Sequence, residues 1–60
     1  MHTKVNNIDC YGKAEIGANY DIVFDDEYKD FTATDIEATS WRQVIKQLAK
    51  FPGIVQIEAC

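Results

Sequence analysis

Apolar positions recur along this chain with two different periods, and the change between them marks its elements. Trp41, Val44, Ile45, Leu48 and Ala49 stand at i, i+3, i+4, i+7 and i+8, one stripe of an α-helix. Ser40 followed by Gln43 forms a capping box: the hydroxyl accepts the Gln43 amide while the Gln43 side chain reaches back. Pro52-Gly53 stops the helix, because proline has no amide to donate and glycine accepts the turn that follows. The pattern predicts one helix over about 40–51, with Arg42, Lys46 and Lys50 along its solvated back.

Elsewhere the period is two, the mark of half-buried strands. From Asn7 to Ile16, Ile8, Cys10, Ala14 and Ile16 fall on one side, with Asp9, Tyr11, Lys13 and Glu15 on the other. Gly12 reads as a bend, and Gly17-Ala18-Asn19 as a turn. Tyr20, Ile22 and Phe24 then alternate with Asp21, Val23 and Asp25, and Asp26-Glu27-Tyr28-Lys29 follows as a polar loop. A third strand puts Phe31 and Ala33 inward and Thr32 and Thr34 outward. Ile36 and Ala38 break its parity, so a bulge or an early end is expected near Thr34-Asp35. After the helix, Val55, Ile57 and Ala59 read as inward and Gln56 and Glu58 as outward. Met1 to about Asn6 is a polar lead-in with a weak pattern.

The expected fold is α+β, in the order β-β-β-α-β. It is a four-stranded, mostly antiparallel sheet with one helix on one face, and residues 1–60 form a single small domain. The last strand is expected at an edge beside the first and parallel to it. One helix covers one side, so Asp9, Tyr11, Lys13, Glu15, Asp21, Val23, Asp25, Thr32, Thr34, Gln56 and Glu58 should lie on an open side.

Composition changes this picture in two ways. No apolar run approaches the ~20 residues of a membrane span, and the start lacks the apolar core of a signal peptide, so a cytoplasmic protein with no membrane partner is expected. The net charge of −4 conceals a segregation: residues 21–37 hold seven carboxylates against Lys29, whereas the helix has three cations and no acid. Such a balance argues against direct nucleic-acid binding, which needs Lys and Arg at phosphates.

Candidate chemistry is sparse. Ser40 is committed to the cap, and His2 and Cys60 lie at opposite ends, a poor basis for a nucleophile and its base, so no enzyme is expected. Cys10, Cys60 and His2 fall short of a four-ligand zinc site, and the two cysteines read as free structural thiols. Asp25-Asp26-Glu27 lacks the glycine of a calcium loop, since none occurs between Gly17 and Gly53. Neither metal nor cofactor is expected.

The outward carboxylates give the sharpest reading. Two of them at i and i+2 on a strand lie ~6.6 Å apart, roughly twice the ~3.4 Å phosphate interval of a DNA strand. An acidic row can therefore occupy a basic groove built for a nucleic-acid backbone. The expected partner-binding residues are Asp9, Tyr11, Glu15, Asp21, Asp25, Asp26, Glu27, Tyr28 and Glu58, facing a basic surface on a larger protein or nucleoprotein complex.

Ile36-Glu37-Ala38-Thr39-Ser40, the helix, and Gly53-Ile54-Val55-Gln56-Ile57-Glu58 together resemble the C-terminal half of several very small phage-encoded proteins. Among these are inhibitors of bacterial RNA polymerase and anti-CRISPR proteins, with a hairpin, a capped helix and a final strand in this order. The likeness covers about residues 20–59 in residue type and carries over no binding residue. It implies a stand-alone inhibitor, acting in the host cytoplasm, that occludes a surface of a bacterial nucleoprotein machine. The alternative is a small self-associating regulatory or antitoxin-like module, dimerising through an open sheet edge.

Overall fold

The computed structural model describes residues 2–25 and 31–59. Its elements are β1 (His2–Val5), β2 (Ile8–Tyr11), β3 (Tyr20–Phe24), β4 (Phe31–Ala33), α1 (Trp41–Gln47) and β5 (Ile54–Ala59). They form an α+β fold in which one helix packs on a mixed five-stranded sheet of order β1-β2-β5-β3-β4.

Two corrections to the expected topology stand out. The polar start forms a strand, β1, which pairs antiparallel with β2 through a two-residue turn. Asn6 and Asn7 have φ of 50° and 64°. A tight hairpin of type I′ needs positive φ at both central residues, and asparagine tolerates it better than most. The second correction concerns β5. It runs parallel to β2, as expected, but lies between β2 and β3 rather than at an edge. The strands β2 and β3 are therefore not neighbours, as a direct antiparallel hairpin between them would require.

Element ends also move. The first expected strand stops at Tyr11, because Gly12 turns the chain at φ +87° and lies so close to Ala59 that a Cβ there would be 3.2 Å from it. Ala14 is buried beyond that turn, whereas Ile16, expected inward, is 67% exposed. β4 ends at Ala33, and Asp35 at φ 61° shifts the parity so that Ile36 and Ala38 enter the core. In β5, Phe24 pairs with Ile54 and Val23 with Gln56, which leaves Val55 as the extra residue of a bulge. Val55, expected inward, is accordingly exposed, and Ile54 packs against the core instead.

The helix is shorter than its apolar stripe. It ends at Gln47, with Leu48 as its C-cap, and Ala49 is exposed. Ser40 Oγ accepts from the Gln43 amide at 3.3 Å, as a capping box requires. The Gln43 side chain reaches one residue further back than expected, accepting from the Thr39 amide at 2.8 Å. Trp41, Val44 and Leu48 lie over Ile8, Cys10, Tyr20, Ile22 and Ile57. Tyr20 is fully buried as expected; its hydroxyl donates to the Glu15 carbonyl and accepts from the Glu15 amide, both at 3.1 Å.

Candidate interaction surface

Strand register decides which outward side chains become neighbours. Residues directly opposite one another point to the same face of a sheet. Tyr11 is the register partner of His2 and of Glu58, Glu58 is that of Asp21, and Asp21 is that of Thr32. The result is one row across all five strands, His2-Tyr11-Glu58-Asp21-Thr32, on the face away from the helix. A second row, Lys4-Asp9-Gln56-Val23, runs beside it. The opposite face carries Cys10, Ile57 and Ile22 into the core, so the two faces divide cleanly between water and the helix.

The first row is internally ordered. The His2 and Tyr11 rings stack at 4.9 Å with 17° between their planes, and His2 Nε2 lies 3.0 Å from Asp9 Oδ1. At the other end Thr32 Oγ1 donates to Asp21 Oδ1 at 2.9 Å. These contacts hold the ring of Tyr11 and the carboxylate of Asp21 in place on either side of Glu58. A rigid aromatic beside fixed carboxylates loses little entropy when a partner covers it.

Of the expected partner-binding residues, Asp9, Tyr11, Asp21 and Glu58 share this face. Glu15 stands apart from the sheet, in the segment after β2, where its backbone holds the Tyr20 hydroxyl. Lys13 and Thr34, expected on the open side, likewise lie beyond the ends of β2 and β4. Asp25 sits just past β3; its amide donates to the Gly53 carbonyl at 2.7 Å. A Cβ at Gly53 would come within 2.7 Å of Asp25 Oδ1, so this carboxylate packs against the turn before β5. Asp26, Glu27 and Tyr28 lie outside the described residues. Sequence reasoning missed His2 and Lys4, of which Lys4 puts a positive charge at one end of the face. The signal that could have placed them is Asn6-Asn7, a two-residue turn pair.

Cys10 is a free, fully buried thiol. Burial pushes its pKa up, the neighbouring Asp9 charge adds to this, and a backbone hydrogen bond from Val5 opposes it. The other cysteine expected to be a free thiol, Cys60, lies outside the described residues. Among the described residues no three His, Cys, Asp or Glu side chains gather as metal ligands, and no helix is long and apolar enough to cross a membrane.

Comparison with protein-family models, with curated proteins and with solved structures gave no match.

Proposed function

We propose that this chain is a protein-binding module whose helix-free sheet face docks on a basic surface of a larger protein or nucleoprotein assembly. The observation that carries the reading is the row Tyr11-Glu58-Asp21-Thr32, in which an aromatic ring and two carboxylates stand side by side on adjacent strands. Asp9 extends the acidic area on the next row. Carboxylates gathered on one face attract a basic surface and steer association through long-range attraction. Taken with the resemblance to small phage-encoded proteins, this favours an inhibitor that occludes a bacterial polymerase or CRISPR effector from within the host cytoplasm. The module itself needs no cofactor and contacts no nucleic acid in this reading.

Self-association is the second reading, supported by the position of β1 and β4 as the outer strands of the sheet.

Affinity capture from bacterial lysate, run in parallel with the parent chain and the Asp21→Asn/Glu58→Gln variant, tests the first reading. A protein retained by the parent and lost by the variant supports it. Equal retention by both, with loss only when Arg42, Lys46 and Lys50 are replaced, moves the working surface to the helix.

A further inference from the structure

The outer strand β1 has one side paired with β2 and, among the described residues, no strand on the other. In a two-residue hairpin the pair flanking the turn exchanges both backbone hydrogen bonds, and pairs alternate from there. Val5 with Ile8 and Thr3 with Cys10 are thus the bonded pairs, and His2 and Lys4 direct their N–H and C=O groups away from the sheet. Beside this edge, on the helix side, lies a groove of about 680 Å³ lined by Thr3, Gly12, Lys13, Ala14, Ser40 and Trp41.

The groove's own polar groups are largely spent within the fold. The Trp41 indole N–H donates to the Gly12 carbonyl at 3.3 Å, and Ser40 Oγ accepts from the Gln43 amide. What remains is an apolar recess next to an unpaired strand edge, the combination that receives an added strand. A side chain of that strand opposite Thr3 enters the recess, and those opposite His2 and Lys4 stand on the other face.

Charge selects the occupant. Lys4 forms no ion pair among the described residues, and Asp9, its register partner, lies with Oδ1 3.0 Å from His2 Nε2. Lysine on an edge strand opposes pairing with a second copy of itself. An incoming strand with acidic residues at the positions facing Lys4 is attracted instead.

From this we infer that β1 and its groove bind an extended polypeptide segment of alternating apolar and acidic residues, by addition of a sixth strand to the sheet. The inference does not rest on the reading of the acidic face, whose carboxylates Asp9, Asp21 and Glu58 lie on β2, β3 and β5, although Lys4 stands at the margin of that face.

The test is a ¹⁵N NMR titration of the whole chain with an end-blocked hexapeptide, Glu-Leu-Glu-Val-Glu-Leu. Saturable shifts at Thr3, Lys4, Gly12 and the Trp41 indole are expected, with slowed exchange of the Lys4 amide. Replacing each Glu of the peptide by Lys should weaken binding at least tenfold, as should N-methylation of its edge-facing amides. Lys4→Glu should favour the Lys peptide, and Lys4→Gln should bind neither preferentially. Equal binding of the Glu and Lys peptides, shifts confined to other surfaces, or no binding overturns the inference. So does protection of the Lys4 amide by self-association without peptide.

Discussion

Glu58 on β5 stands directly opposite Asp21 on β3, two carboxylates as register partners on the open face. Like charges so opposed destabilise an antiparallel pair by about 0.2–1 kcal/mol. A sequence shaped for stability alone would place an amide or a cation at one of them. Glu58→Gln should therefore raise the unfolding free energy by about that amount in urea denaturation. Unchanged or lower stability would mean that the opposition costs nothing.

The inward half of that arrangement was legible in the sequence, and the pairing was not. Alternation placed Tyr20, Ile22 and Phe24 inward and Asp21 outward, because side-chain parity is a local property of a strand. Ser40 and Gln43 marked the helix start for the same local reason. Which strands lie side by side depends on contacts distant in sequence, so the position of β5 between β2 and β3 left no trace in any window. β1 escaped notice because His2–Val5 has no buried residue to create a period. Its only cue was the turn that precedes β2. For the surface, Asp9, Tyr11, Asp21 and Glu58 followed from parity, while Glu15 failed because Gly12 ends the strand before it.

The β1–β2 hairpin can be tested at its turn. Asn7 lies at φ 64°, where glycine carries no Cβ penalty. Asn-Gly is the favoured pair for a type I′ turn, so Asn7→Gly should raise the urea midpoint by relieving the Cβ strain at positive φ, a gain reduced by the entropy that glycine adds to the unfolded chain. Asn7→Val should instead loosen β1 and speed amide exchange at Thr3 and Val5.

Docking of the segment that closes the helix is tested by Leu48→Ala. Leu48 is 5% exposed and caps the helix over the core. Removing it should cost about 2–5 kcal/mol, a large share of the stability of so small a domain. A variant that melts with the parent would show that Leu48 is not packed there.

Cys10 makes a pH prediction. Its pKa is raised above 9.0 in the folded chain, first by burial and then by Asp9. The protonated thiol is thus favoured on folding: its contribution is complete below the unfolded pKa and is lost as pH rises through the folded one. Unfolding free energy should fall as pH rises beyond 9.0, and Cys10→Ala should make that fall shallower. In a Cys60→Ala background, a thiol-specific reagent at pH 8 should label Cys10 only after unfolding.

The acidic face is tested most directly by the rate at which a captured partner associates, followed against ionic strength. Electrostatic steering predicts an association rate that falls steeply with salt, since screening acts over ~8 Å at physiological ionic strength. Asp21→Asn/Glu58→Gln should slow association roughly tenfold at low salt and flatten its salt dependence, while Tyr11→Ala should mainly speed dissociation. A double variant that associates like the parent at every salt concentration, with Arg42, Lys46 and Lys50 setting the rate, would contradict the assignment of this face.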